Sequence, residues 1–461
     1  WLKHFSVPQL QAAQTIHLVF LVDMANVSNV IASSVSETNQ NERRKVLHLI
    51  GSRQDEFYFD LSLLYARACD GCEKLDRKRY DFRYALVHLD GSWSFPEDLS
   101  EKAVAEAPHV PISAAIGEIS ELAPSVMVPH MFCVEGMTRY RSLFDLLRIP
   151  FLGNHEYTVW PATDKATTKQ LLDAAGVLVP RGELLEKGKK ETPETVKVPF
   201  VVKPCNEDNS RGITLVREEK DAKKALDYAF SFDARVVVDE YIAGREVRAA
   251  VVEEADGTLT VLPKIEYFLQ DIRTSAHKLN TNNGKLTANA IKEAKRDGDR
   301  QCPADLSPEI HAHIDEMVIK AHHTLKCRHY SLFDIRIDAQ GFPYILEAAF
   351  FCSFSPLSVI PAMAEQSGRE ELKHPNFFHS LLERAVQEAA PKELPFAPPA
   401  RNVDPIATVP TTDTLPIVEL DSAVKSSSGA SETSDGCSSE KKDSEFFNSE
   451  RQQSSERQES S

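Results

Sequence analysis

The chain of 461 residues has no surplus of positive charge: 53 Lys and Arg stand against 69 Asp and Glu, a formal net charge of -16. Binding to nucleic acid rests on clustered cations that neutralise phosphates, so a nucleic-acid surface is excluded as the main function. A small anion held in a locally basic cleft is not excluded. Long apolar runs are missing too, since nothing approaches the roughly 18 residues that a membrane helix needs. IHLVFLV at 16–22 is apolar but is cut at once by Asp23. Cysteine is sparse, eight in all, and only Cys69 and Cys72 stand close together, in CDGC. With no second pair and no His cluster at zinc-finger spacing, scattered reduced thiols are expected, as in a cytosolic protein. No Walker-type GxxxxGK[ST] loop occurs, and no Ser-His-Asp or Cys-His signature for nucleophilic catalysis is recognisable.

A hydrophobic share of 42% supports a folded body, and the length calls for two or three packed units plus unstructured sequence. From Lys45 the text alternates. KVLHLIGS, RYALVHL, SVMVPHMFC and PFLGN read as strands, with EFYFDLSLLYARA, SAAIGEISELA and MTRYRSLFDLLR as helices between them. That order predicts a parallel sheet with crossover helices, an α/β unit over 45–150 after an N-terminal extension, 1–44. A second unit, 151–392, opens on DKATTKQLLDAAG, with Asp164 as N-cap and Gly176 as stop. VPFVVKPCN reads as a buried strand, RVVVDEYIAGREVRAAVVE as two strands around a Gly turn, and 308–325 as a long helix. The Pro-, Ser- and Glu-rich stretch 393–461 cannot bury enough apolar surface to offset chain entropy and is expected to be disordered.

Two places carry chemistry. In VVKPCNEDNSRGITLV, Lys203 ends a strand before a polar loop whose amides, with Asn209 and Ser210, suit phosphate oxygens. In SLFDIRIDAQGFPYILEAAF, two strand-like runs flank a turn with Gly341 at its end. Antiparallel pairing would set Asp334 opposite Glu347. Like charges so placed repel unless a cation or a shared proton neutralises them, and beside a nucleotide such hard oxygen ligands suit Mg²⁺. Two solvated edge carboxylates remain the plain alternative.

In their order, FLGN, DKATTK, VPFVVKP, the loop before GITLV, VVVDEYIAGREV, CPADL, LKCRHYSLFDIRID and ILEAAF resemble the ATP-grasp ligases, above all the D-alanine:D-alanine ligase branch. The resemblance spans about 151–370. It implies an ATP-grasp fold, α/β with an α+β C-terminal half: an N-terminal parallel α/β domain, then central and C-terminal domains that grip ATP. By the same resemblance Lys165 and Lys203 contact ATP, Lys278 faces the terminal phosphate, Asp239, Glu240, Tyr241 and Ile242 form the adenine hinge, and Glu246 holds the ribose. Asp334 and Glu347 match ligands of Mg²⁺ (or Mn²⁺), Ser358 a serine on the substrate side, and Glu56 an acid that meets the first substrate's amino group. The implied reaction activates a carboxylate with ATP to an acyl phosphate, which an amine attacks with loss of phosphate through a tetrahedral intermediate.

Three departures stand out. Leu332 lies where those ligases carry an arginine that stabilises the tetrahedral intermediate, Ala349 lies in place of an asparagine ligand, and EDNSRG replaces a loop close to EGSSVG. KVLHLIGS, EFYFDLSLLYA, HMFCVEGMTRYRSLFDLL, DNSRGITLV and LEAAFFCSFSP are similar, over about 45–370, to the ligases of mycosporine-like amino acid biosynthesis, which join an amino acid to mycosporine-glycine. Small-molecule substrates are therefore the expected partners, with no nucleic acid and no membrane, and a homodimer left open. A cytoplasmic location is expected, with organellar targeting by the extension left open. A dipeptide ligase and a nucleotide-binding regulatory protein without catalysis are the alternatives.

Overall fold

The structure, a computed structural model, describes residues 43–274, 281–282, 285–286, 299–356 and 358–389. The extension (apart from its last residues), the Ser-rich tail and Lys278 lie outside the described residues.

The N-terminal sheet has the strand order β3-β2-β1-β4. Its members are β1 (Arg44–Gly51), β2 (Tyr80–Val87), β3 (Trp93–Ser94) and β4 (Val126–Pro129). β1 runs parallel to both β2 and β4, as the alternation of strands and helices predicts, and β3 adds an antiparallel edge. PFLGN does not form the expected strand: Phe151 makes a single bridge to Met127, and two arginines take up the carbonyls that follow it. Helix α1 (Glu56–Asp70) follows β1, capped where the Asp55 carboxylate accepts from Tyr58 N.

A second sheet, β5-β8-β6-β7, comprises β5 (Gly182–Glu186), β6 (Phe200–Pro204), β7 (Thr214–Val216) and β8 (Arg235–Glu240). Helix α2 (Lys165–Ala174) precedes it with the expected cap, Asp164 accepting from Thr167 N at 2.8 Å. Helix α3 (Glu219–Phe230) covers one face, packing Ala225, Leu226, Ala229 and Phe230 on Phe200, Val202, Val236 and Val238.

The largest sheet has the path β14-β11-β9-β15-β16, with β10 paired to β9. It comprises β9 (Arg245–Glu253), β10 (Leu259–Val261), β11 (Ile265–Tyr267), β14 (Arg300–Gln301), β15 (Tyr330–Ile337) and β16 (Pro343–Ala349). Between them in the chain, β12 (Thr281–Asn282) and β13 (Lys285–Leu286) pair only with each other. β8 and β9 therefore do not form a hairpin: the Gly turn carries the chain from one sheet into another. Gly244 makes that crossing at φ 144°, and a Cβ on it would lie 1.9 Å from the Ile337 carbonyl oxygen. Only glycine fits there.

Strand alternation then divides the labour of β9 and β15. On one face Val247, Ala249, Val251, Phe333, Ile335 and Ile337 meet helix α4 (Pro308–Thr324) through Ile314, Met317, Val318 and Ala321. On the other face Ala250, Val252, Tyr330 and Leu332 pack into a core shared with the N-terminal sheet, with helix α5 (Val359–Glu365) and with helix α6 (Asn376–Ala389). Further along that second face the side chains become charged.

Candidate active site

Three rungs of the β9/β15 ladder set the site: Ala250 faces Leu332, Arg248 faces Asp334, and Glu246 faces Arg336. The last two are opposite-charge cross-strand pairs, each worth a fraction of a kcal/mol to about 1 kcal/mol on an ordinary sheet. Arg248 grips Asp334 with both Nε and Nη2. Burial disfavours its charge, but Asp334, Tyr267 and Glu347 more than offset that and raise its pKa above the usual guanidinium range. Arg273, over the Tyr267 ring at 4.3 Å, reaches Asp334 Oδ2 at 3.2 Å from the other side. Arg336 binds Glu246 Oε2 at 3.1 Å and the Tyr241 hydroxyl and Ile242 carbonyl at 3.1 Å each.

β15 and β16 pair antiparallel, and Asp334 does face Glu347. The turn alone does not achieve this. Ile337 pairs with Pro343 and Ile335 with Ile345, a register that would put Leu346 opposite Asp334 and turn Glu347 toward Phe333 on the apolar face. A bulge between Asp334 and Ile335 absorbs one residue and brings Glu347 onto the charged face. A carboxylate buried without a partner costs several kcal/mol, so this change of face decides whether Glu347 is usable at all.

Lys165 Nζ stands 3.1 Å from Glu347 Oε1 and also donates to the Glu207 carbonyl. Burial works against its charge, and Glu347 and Asp208 more than offset that, so it stays an ammonium. Lys203 Nζ donates to Asp239 Oδ2 at 2.9 Å, and Lys169 binds the other oxygen. A cleft of about 580 Å³ runs between the two sheets, lined on one side by Val201, Lys203, Glu240, Tyr241 and Ile242 and on the other by Glu246, Asp334 and Glu347. A smaller one of about 380 Å³ adjoins it at Lys165 and Glu347 and is walled by Met137, Ala349, Phe350 and Phe351. Glu347 lines both.

The polar loop after β6 holds Asn209 and Ser210 at φ 54° and 60°, left-handed values that asparagine tolerates and serine seldom adopts, before Gly212 at φ 72°. Ser210 lines the larger cleft and its Oγ donates to the Arg273 carbonyl, whereas the Asn209 amide turns to Asp208. Arg211 ties this loop to the start of α1, reaching Asp55 at 3.0 Å beneath the Phe57 and Tyr58 rings.

The residues singled out in the sequence thus divide. Lys165, Lys203, Ser210, Glu240, Tyr241, Ile242, Glu246, Asp334 and Glu347 line one or other cleft. Asp239 does not: it is 2% exposed and points inward between two lysines. Glu56 is exposed on the first turn of α1, and Ser358 is a buried N-cap of α5 whose hydroxyl has no hydrogen-bond partner among the described residues. Arg248, Arg273 and Arg336 escaped the sequence reading. One signal was available, because Arg248 and Arg336 interrupt apolar strands at the same two-residue period as Glu246 and Asp334.

Residues 177–383 match a family model described as D-ala D-ala ligase C-terminus. A D-alanine–D-alanine ligase from Trichlorobacter lovleyi is 26% identical over 265 residues, covering 56% of this chain and 74% of its own length. Among solved structures, the D-alanine-D-alanine ligase of Coxiella burnetii superposes with a TM-score of 0.58 at 20% identity, over 76% of this chain and 95% of its own. The Bacillus anthracis ligase complexed with ATP gives a TM-score of 0.55 at 16% identity, over 75% and 98%. The chain shares the fold of these ligases, the ATP-grasp fold. Among the described residues no helix is long and apolar enough to cross a membrane.

Proposed function

We propose that the protein joins an amino acid to a small acceptor of the mycosporine-glycine kind, using ATP to activate the acceptor oxygen. The observation that carries the reading is the cleft between the two sheets, with Lys203 and Glu240–Ile242 on one wall and the Asp334/Glu347 pair on the other. The adenine would lie against Glu240, Tyr241 and Ile242, the ribose hydroxyls on Glu246, and the phosphates between Lys203, Lys165 and the Asn209–Ser210 loop.

Asp334 and Glu347, side by side on one face, supply the hard oxygens that a divalent cation takes, and the ion would compete for them with the three cationic side chains that attend them, Lys165, Arg248 and Arg273. Mg²⁺ held there would draw charge from the phosphate oxygens of ATP. The γ-phosphoryl group passes to the acceptor oxygen, ADP leaves, the amine adds to the activated carbon, and phosphate departs with the acceptor oxygen as the amine loses its proton. Arg248 takes the place of the missing arginine. Leu332 is 6% exposed and cannot donate a hydrogen bond, whereas Arg248, one rung along on β9, puts a guanidinium on the same face. Its charge is also felt by Tyr65 of α1, where the N-terminal unit meets the site. Apolar Ala349, Phe350 and Phe351 around the smaller cleft favour a planar, conjugated acceptor over a second alanine.

Ligation of D-alanine to D-alanine is the competing reading, since the similar proteins are named for it. Release of ADP by the purified protein with Mg²⁺ separates the two: turnover with mycosporine-glycine plus serine or threonine is expected. Turnover with D-alanine alone, and none with mycosporine-glycine, would overturn the acceptor. ATP binding without turnover on any amine would overturn the enzymatic reading altogether.

A further inference from the structure

The loop after β6 is anchored on both sides of its two left-handed residues. Before them, the Asp233 carboxylate accepts from Asn206 N at 2.8 Å, and Lys165 donates to the Glu207 carbonyl. Beyond them the tie is Arg211, and it runs to the N-terminal unit. Arg211 Nη1 lies 3.0 Å from Asp55 Oδ2 and 3.5 Å from Glu207 Oε2. Its guanidinium stands 5.3, 5.4 and 5.5 Å from the centres of the Phe57, Tyr58 and Phe232 rings, cation–π distances that favour the charge. The Tyr58 hydroxyl in turn donates to Glu207 Oε2 at 3.3 Å.

This is more than a surface ion pair. Asp55 uses both oxygens: Oδ1 caps α1 by accepting from Tyr58 N at 2.9 Å, and Oδ2 takes Arg211, so the loop is fastened to the capped end of a helix. Ser210, the neighbour of Arg211, is pulled the other way. Its Oγ donates to the Arg273 carbonyl at 2.9 Å, and Arg273 Nη2 reaches Asp334 Oδ2 at 3.2 Å. Adjacent residues therefore stretch the loop between α1 and the acidic pair. A serine at φ 60° persists only where its surroundings over-determine it, and these two ties do so.

We propose that Arg211 is the positioning residue of the phosphate loop: by fastening it to the capped end of α1, it holds the Asn209 and Ser210 amides where the ATP phosphates are bound. The inference rests on the nucleotide site proposed above. Without the tie the loop is set correctly in only a fraction of the molecules, and the apparent affinity for ATP falls by that fraction.

The test compares the full chain with Arg211→Met, which keeps an apolar stem and loses the charge, and with Asp55→Asn, which keeps a good N-cap and loses the anion. In ligand-free protein, amide hydrogen exchange over 206–213 should be about tenfold faster in both variants. Titration calorimetry should show Mg²⁺–ATP bound about tenfold more weakly in both, with melting curves establishing that each is folded. Asp55 and Glu207 both meet a single nitrogen of Arg211, not a two-pronged fork, so Arg211→Lys should bring ATP affinity back to within about threefold of wild type. Exchange in Arg211→Met as slow as in wild type would overturn the tether. Faster exchange with unchanged ATP affinity would overturn its role toward the phosphates. A wild type that binds no ATP, with loop exchange responding as expected, would instead overturn the nucleotide site, and the role toward the phosphates with it.

Discussion

Arg248→Ala should cut turnover far more than it cuts stability. The side chain is 14% exposed and donates two hydrogen bonds to Asp334, so its loss strips a half-buried carboxylate of its main partner. Breaking a buried pair outright costs about 3–5 kcal/mol. Asp334 keeps Arg273 Nη2 at 3.2 Å, so the loss should fall below that range, at about 1–2 kcal/mol, read from urea unfolding. Removal of one oxyanion donor from a fixed site costs about 10²–10³ in kcat, or about 3–4 kcal/mol in the barrier. ADP release under saturating ATP and acceptor measures that term separately. Arg248→Lys keeps the charge but not the fork, and should recover stability better than rate. The double variant Arg248→Ala, Leu332→Arg moves the guanidinium back to β15. The two positions are diagonal neighbours on one face, about 7–8 Å apart and within an arginine's reach, so roughly tenfold of the lost rate should return. Arg248→Ala with kcat within about threefold of wild type would refute the assignment of Arg248 to the oxyanion.

Glu347→Gln should abolish ADP release with the fold intact; activity near wild type would mean that the metal is held elsewhere. Asp239→Asn should lower unfolding free energy by about 3–5 kcal/mol in urea titrations, because it leaves two ammonium groups facing each other in a buried place; a loss under about 1 kcal/mol would contradict the pairing seen here. Gly244→Ala should cost about 3 kcal/mol or more, since its Cβ would strike the Ile337 carbonyl, and a melting temperature equal to wild type would refute that. Glu388, on α6, has its carboxyl pulled from 4.5 down to about 2 by His329 and Arg384, against the opposing effect of burial. Its contribution is therefore complete above pH 4.5 and lost as the pH falls from there toward 2, so Glu388→Gln should flatten the acid limb of the stability curve in that window. An acid limb as steep as that of wild type would refute it.

What could be read from the sequence was whatever depends on neighbours in the chain. The Asp164 cap, the strand around Val201 and the parallel pairing of β1 follow from local pattern, and the motif order located most of the cleft. Distant pairing was less legible. That Asp239 is taken up by lysines and does not line the cleft depends on Lys169 of α2, about seventy residues earlier, which binds one of its oxygens. Arg248 looked like any charge in a strand until β15 was laid beside it. The facing carboxylates were anticipated through a turn register that the chain does not use; the bulge restores what that simpler pairing assumed.

That bulge makes residue count, not residue identity, the variable that brings the acidic pair together. Swapping Leu346 for another apolar residue would leave both carboxylates where they are. Deleting it would place a chemically intact glutamate on the wrong side of the sheet. A scan by point substitution would therefore pass over the position on which the pair most depends, and comparisons with other chains should track strand length between Asp338 and Glu347 as closely as the two acids themselves.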